Sequence, residues 1–275
     1  MSAREDFINE FYEEEFEILF LAKDSCSGAM LKEDIYIPSI EFFACVDMRT
    51  GELLQEKGRL EWMVDNNKNR KNWGYDFKQF GIYYIRVREC IPKVLKPYQS
   101  KVLNNRYMVV QLMEEKPKNE GLEKLQAYYS EPVVIGGELG KFILDRTFSW
   151  FEGTVDWNGT SCTVVLETDM EDGDSADLAF QKFKELSKDL IGWDRKFREF
   201  AAEKLTQYVE YDENEEGAVE ITKELFAERI KISNLAISPD GSMELYYNDG
   251  NMFGGHEIEI FANTAGEIVD AATVG

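Results

Sequence analysis

Histidine is nearly missing: His256 is the only one in 275 residues, so any mechanism that needs an imidazole passes through a single position. Cysteine is sparse, and Cys26, Cys45, Cys90 and Cys162 lie far apart without a Cys-x-x-Cys pair. That spacing argues against a zinc site or a disulfide framework and for buried free thiols. Only 6 prolines interrupt the chain, and nowhere do about 18 apolar residues stand together, so no transmembrane helix is expected. The first ten residues carry Glu5, Asp6 and Glu10 where an export signal needs a basic start and an apolar run. A soluble, cytoplasmic protein is the expectation. Positive charge is also short: 31 Lys and Arg face 53 Asp and Glu, a net of −22. A field of that sign repels nucleic acid and membrane surfaces and attracts basic partners.

What is present is enough for packed cores, with 44% hydrophobic and 13% aromatic residues. The length is comfortable for two domains and long for one. Charge is unevenly placed. Residues 1–132 hold 19 basic and 23 acidic residues, whereas residues 133–275 hold 12 and 30, a net of −18. Within the first half, Asn66 to Lys118 reverses sign with 12 basic and 4 acidic residues. Such a step follows a domain boundary or a functional face. The boundary falls in "MEEKPKNEGLEKLQAYYSEP", which is polar and broken by Pro117, Gly121 and Pro132. The plan is a small, mostly β domain over 1–120, a linker with a short helix (Leu122 to Tyr129) over 121–132, and an acidic α+β domain over 133–275.

The first domain shows about five strand-length segments, Glu15 to Ala22, Ile40 to Val46, Arg59 to Val64, Gly81 to Arg88 and Arg106 to Met113, with a hairpin turn at Gly51. A small barrel or sandwich fits them. The second domain opens with a strand from Phe142 to Asp156, turns at Asn158-Gly159 and returns through Thr160 to Thr168. Phe148, Trp150, Val155 and Trp157 are expected to pack across from Cys162, Val164 and Leu166. An acidic turn then leads to a helix capped by Asp174 or Ser175, with Leu178, Phe183, Leu186 and Leu190 at helical spacing and a bend at Gly192. Trp193, Phe197, Phe200, Ala201, Leu205 and Tyr208 continue an apolar stripe, with Asp194, Lys196, Arg198, Glu199 and Glu203 turned away. A third helix starts at Thr222 with Ile221 and Phe226 as a hydrophobic staple, and antiparallel strands close the chain.

No motif fixes a reaction. The acids of Asp169 to Asp177 miss calcium-loop spacing, since the sixth position is Asp174 and the twelfth Phe180. "VVIGGELGKF" has no Ser or Thr after Gly140-Lys141 and reads as a turn with a bulge. His256 pairs with no nucleophile in the local sequence, although a hydrolase using His256, with Cys26 as its partner thiol, stays open. The basic stretch interleaves its cations with Trp73, Tyr75, Phe77, Phe80, Tyr83, Tyr84, Tyr98 and Tyr107, a pattern that fits single-stranded nucleic acid or a barrel core equally.

The segments "LGKFILDRTFSWFEGTVDWNG" (139–159), "WDRKFREFAAEKL" (193–205), "ITKELFAERIKI" (221–232) and the final "SMELYYNDGNMFGGHEIEIFANTAGEIVDAATVG" resemble the bacterial domain of unknown function 2262 family. The first half looks like a small β domain that accompanies it. That resemblance implies no catalytic residue, metal or cofactor. The acid-rich second half is also similar to small bacterial domains proposed as immunity proteins against polymorphic toxins. The resulting expectation is a non-enzymatic module that binds a basic protein partner, with Trp150, Asp156, Trp157, Tyr246, Tyr247, Asp249, Phe253 and His256 as contact candidates.

Overall fold

The computed structural model describes residues 2–209 and 220–275. The chain divides into two compact units, Met1–Glu131 and Pro132–Gly275.

The first unit begins with helix α1 (Ala3–Ile8), which has no apolar periodicity long enough to announce it. Ser2 and Glu5 form a reciprocal capping box, Ser2 Oγ accepting from Glu5 N–H and the Glu5 carboxylate from Ser2 N–H. Strands β1 (Phe11–Ala22), β2 (Ala29–Lys32), β3 (Ile35–Asp47), β4 (Glu52–Leu54), β5 (Gly58–Glu61), β6 (Val64–Asp65), β7 (Ile82–Cys90) and β8 (Arg106–Glu115) follow. β1 pairs with both β3 and β7, β7 with β8, β8 with β5 in parallel, and β5 with β3. Five strands therefore close a ring, β1–β3–β5–β8–β7–β1, while β2, β4 and β6 are short additions to β3. This ring order, with the third and fifth barrel strands parallel, is that of the OB-type Greek-key barrel. Its interior is aromatic: Phe20, Phe42, Trp62, Phe77, Tyr83 and Tyr107 are all buried.

The segment expected to link the domains is helix α2 (Glu120–Ser130), and it packs on the barrel. Asn119 caps it at Leu122 N–H. Leu122 is buried with Leu19, Leu21 and Ile82, and Tyr129 stacks on Phe43 at 3.9 Å.

Near the barrel's first turn, burial is the main force raising the Asp24 carboxyl to about 6. The Glu41 charge adds to it, while the Glu41 backbone N–H, Lys23 and Arg59 oppose it. A carboxyl whose folded pKa lies above its unfolded value makes stability fall as pH rises between the two. Asp24→Asn is expected to match the parent below about pH 4 and to exceed it in unfolding free energy above about pH 6, read by urea titration at several pH values. A pH-independent difference would show that Asp24 titrates normally.

The second unit is one eight-stranded sheet in nearly sequential order, β9 (Val134–Gly137), β10 (Gly140–Asp145), β11 (Trp150–Trp157), β12 (Thr160–Glu167), β13 (Lys231–Ile237), β14 (Met243–Asn248), β15 (Glu257–Ala262) and β16 (Ile268–Val274). The glycine-rich segment is the β9–β10 hairpin, and the strand expected from Phe142 is two strands broken at residues 146–149. All neighbours are antiparallel except β12 and β13, whose parallel pairing requires a long connection. Helices α3 (Asp177–Leu186), α4 (Leu190–Leu205) and α5 (Lys223–Arg229) supply it, with α3 packing on β12 and β13 and α4 on β15 and β16. The Asn158-Gly159 turn takes positive φ at both residues, as a two-residue hairpin needs.

The aromatic stretch from Phe148 to Trp157 obeys strand parity. Phe151 and Trp157 are buried, and Val155 packs beside them against the helices. Gly153 shares that side because β10 comes close: a Cβ there would lie 2.4 Å from the Lys141 carbonyl oxygen and 2.7 Å from the Phe142 ring. Trp150 points to the opposite side of the sheet and stacks with Phe148, ring centroids 4.6 Å apart. Phe148 and Trp150 are thus not the core partners of Cys162, Val164 and Leu166; Phe151 is.

The first helix is capped from a distance. Asp169 accepts from the backbone N–H groups of Asp177 and Leu178 and from Ser175 Oγ, and no side chain caps at Ala176. Leu178 is exposed, and Ala179 and Phe180 take the core positions with Phe183 and Leu186. The break before α4 lies at Ser187–Asp189, not at Gly192; Asp189 caps α4 by accepting from the Gly192 N–H. α5 starts at Thr222 as expected, with Ile221 and Phe226 in the core. No helix among the described residues is long and apolar enough to cross a membrane. All four cysteines are free thiols.

Candidate recognition face

Helices cover one side of the second unit's sheet, and the register defines the other. Paired residues share a face, so one row runs Ile143, Glu152, Val165, Ala236, Glu244, Phe261, Asp270. Its neighbour runs Thr154, Thr163, Asn234, Tyr246, Glu259, Ala272. Trp150 pairs with Glu167 on this same side, and Asp156 with Ser161. The helix-free face therefore sets the carboxylates Glu152, Glu167, Glu244 and Glu259 among Trp150, Tyr246 and Phe261.

Tyr246 is the centre of the acidic group. Its hydroxyl lies 2.8 Å from a Glu259 oxygen and 3.4 Å from a Glu244 oxygen. Burial first, and then those carboxylates, push the phenol far above its usual pKa, so it remains a donor to them at every accessible pH. Ser233 Oγ sits 3.0 Å from Glu257 and from the Tyr246 carbonyl oxygen. At the other end, Phe148 is 59% exposed, and the buried indole Nε1–H of Trp150 has no hydrogen-bond partner among the described residues. A large ring face and surrounding carboxylates are what a recognition surface offers a cationic partner.

The other contact candidates divide by position. Trp157 and Tyr247 point to the helix-covered side and are buried. Tyr247 donates to Asp194, which is 7% exposed and ion-paired with Arg198 at 2.9 Å, so Asp194 is not on the solvent side of α4. No period-3.6 count reveals this, because an acid at a core position registers only as a break in the stripe.

Asp249 and Phe253 belong to the turn between β14 and β15. Asp249 is 4% exposed and accepts from the backbone N–H groups of Asn251, Phe253 and Gly255. Burial raises its pKa, but those three donors outweigh it and hold the carboxyl below the ordinary value. Phe253 packs edge-on to Phe226. Both help to form this turn, Asp249 through its buried carboxylate and Phe253 through a partly buried ring. Asp249→Ala is expected to lose about 2–3 kcal/mol at neutral pH because it strands three donors. The loss shrinks as pH falls below about 4, where the parent's own carboxyl protonates. Urea titrations at pH 7 and pH 3 would check it.

His256 is exposed immediately before β15 and lines none of four clefts found among the described residues. Cys26 belongs to the first unit, and burial raises its thiol above the usual value, away from the thiolate a nucleophile needs. Among the described residues, no group of three or more His, Cys, Asp or Glu side chains is placed to hold a metal ion.

In the first unit, the aromatic residues of the basic stretch mostly fold inward. Trp73, Tyr75, Phe77, Tyr83 and Tyr107 join the barrel core, Phe80 and Tyr84 pack near α2, and only Tyr98, 79% exposed, stands out. Several cations are paired across strands, Arg86 with Glu17, Arg88 with Glu15, and Arg106 with Glu10 and Glu61.

These features define a two-domain α+β protein, an OB-type barrel followed by a helix-backed acidic sheet. The second half resembles a known family: residues 137–273 match the one described as "Uncharacterized protein conserved in bacteria (DUF2262)", and residues 3–129 match "Domain of unknown function (DUF7021)". No curated protein matches the chain.

Proposed function

We propose that the protein is a cytosolic, non-enzymatic binding module whose helix-free acidic sheet face takes a basic protein partner, as an immunity-type inhibitor does. One observation carries it: the register gathers Glu152, Glu167, Glu244 and Glu259 with Trp150 and Tyr246 on the side opposite the described helices. Proteins that act on nucleic acid present cationic surfaces, and a rigid carboxylate array on a sheet competes for them by the same field. The full chain should bind an arginine-rich peptide with an affinity that falls as salt rises. The variant Glu244→Lys/Glu259→Lys should weaken it by about tenfold or more, whereas the equal charge change Glu185→Lys/Glu199→Lys on the helices should weaken it much less. Equal loss in both variants would reduce the effect to net charge and end the proposal.

The barrel's ring order favours a second reading, single-stranded nucleic-acid binding through the loop between β7 and β8, which carries Lys93, Lys96, Lys101 and exposed Tyr98. It requires that Lys96→Glu/Lys101→Glu abolish a low-salt shift of an oligothymidylate by the full chain. No shift in the parent would remove it.

A further inference from the structure

In the first unit, β2 and β6 flank the N-terminal part of β3 and make a small sheet with one covered face. Ile35 and Ile37 are buried in a cluster with Ala3 and Phe7, so α1 closes that side. Tyr36 lies between them in sequence and takes the opposite face, where the register sets Leu31 of β2 and Val64 of β6 beside it. Leu31 is 55% exposed, and Tyr36 and Val64 are partly exposed.

On that face stands a guanidinium held by rings alone. Arg70 Cζ is 3.7 Å from the Trp73 ring centroid and 4.2 Å from that of Tyr36, and the two rings meet edge-on at 5.4 Å. Arg70 is partly exposed, and its side chain has no hydrogen bond or ion pair among the described residues. Arg59, Arg86, Arg88 and Arg106 of the same unit each meet a carboxylate. The loop that presents Arg70 is pinned at several points. Asn66 N–H donates to the Asp34 carbonyl oxygen at 3.1 Å, Asn69 N–H to Asn67 Oδ1 at 2.9 Å and Arg70 N–H to the Asn67 carbonyl oxygen at 3.0 Å. The Trp73 carbonyl oxygen accepts from the Trp62 indole, which belongs to the barrel core. A planar cation placed in advance with its N–H fork unused is suited to bidentate capture of an oxyanion, with little further ordering cost.

The charge around it has the matching sign. Residues 66–74 hold Lys68, Arg70 and Lys71 and no acid, and both lysines are exposed. The acids of the flanking segments are Glu33 and Asp34 at the β2–β3 turn and Asp65, which Arg4 takes up. The positive excess therefore lies on the 66–74 loop, away from the hairpin tip. Two observations choose among anions. Tyr36 and Trp73 already stack on Arg70, so those ring faces are not open to a base, and the neighbours along the row, Leu31 and Val64, suit an apolar side chain. The chain's net of −22 also opposes a ligand in proportion to the ligand's own charge, so a peptide with a few carboxylates is opposed less than a strand with a phosphate at every residue. We propose that this face binds an acidic peptide segment of a partner protein, one carboxylate taking the Arg70 fork and a neighbouring apolar side chain covering Leu31.

The probe is a short peptide alternating leucine with glutamate and carrying an uncharged fluorophore, titrated with the full chain and read by anisotropy. It should bind saturably and more weakly as salt rises. Replacing its glutamates by glutamine, or its leucines by serine, should each weaken it by about fivefold or more. Arg70→Lys keeps the charge but loses the planar fork, and should weaken the parent peptide by about fivefold or more with a melting temperature within about 2 °C of the parent protein. Leu31→Ser should act in the same direction. Lys68→Gln/Lys71→Gln should weaken binding by about threefold or more, whereas the equal charge change Lys96→Gln/Lys101→Gln in the β7–β8 loop should have much less effect. No binding by the parent protein, an undiminished Arg70→Lys, equal loss in the two lysine pairs, or tighter binding of an oligothymidylate of the same length would each overturn the assignment.

Discussion

Phe151→Ala is expected to cost about 3–5 kcal/mol of unfolding free energy, while Trp150→Ala, its neighbour in sequence, costs about 1 kcal/mol or less. The two rings differ in which side of the sheet they occupy. Phe151 is fully buried among Phe142, Leu166 and the helices, so its removal takes away the transfer energy of a large ring and leaves a cavity that a closely packed core fills poorly. Trp150 gives up a stack on exposed Phe148 and an indole N–H that has no partner to lose. The check is a pair of urea denaturation curves, and the expected difference corresponds to a midpoint shift of roughly 10 °C in thermal melts for the larger effect. Period-2 geometry makes this a sharp test, since a one-residue slip of β11 would exchange the two results. Trp150→Ala should instead weaken binding of the cationic peptide, where Phe151→Ala, if still folded, leaves the residues of the face in place.

The same parity explains how much of this unit was legible from residues alone. Asn158-Gly159 announced the β11–β12 hairpin because only a turn with two positive φ values wants that pair. A run with aromatic residues on both sides of the strand does not reveal which set faces in, since a half-buried Trp and a buried Phe look alike in a hydropathy pattern; the helices that decide it come later in the chain. The Asp169 cap was hidden for a related reason, because it reaches the α3 N-terminus from eight and nine residues away, beyond the short spacing by which caps are recognised. The short helix expected over Leu122 to Tyr129 forms as α2, but the charge of the segment gives no sign that Leu122 and Tyr129 dock it on the barrel. The parallel step from β12 to β13 leaves no local trace at all. Of the eight contact candidates, Trp150, Asp156 and Tyr246 lie on the helix-free face; Trp157 and Tyr247 lie under the helices, and Asp249 builds a turn. Strand period separates Tyr246 from Tyr247, which aromatic density alone groups together.

Asp194→Ala is the other substitution with a large expected effect, about 3–5 kcal/mol, although the helical stripe alone places this acid in solvent. Its carboxylate engages two groups, the Arg198 guanidinium, which also donates to the Ala227 carbonyl oxygen, and the hydroxyl of fully buried Tyr247. Burial first, and then the neighbouring Asp194 charge, keep the Tyr247 phenol well above its ordinary pKa, so it donates to Asp194 throughout the range in which the protein folds. Deleting the acid leaves the Arg198 cation without its counter-charge and the Tyr247 hydroxyl without its acceptor, and that uncompensated burial, rather than the strength of the original pair, dominates the loss. The distinction is measurable. Asp194→Asn, which keeps an acceptor for the phenol, should cost less than the alanine variant, and the triple change Asp194→Leu/Arg198→Met/Tyr247→Phe, which removes every member, should recover much of the loss, each read by urea titration. If the triple variant is instead as unstable as Asp194→Ala, packing around α4 and not charge is what Asp194 supports.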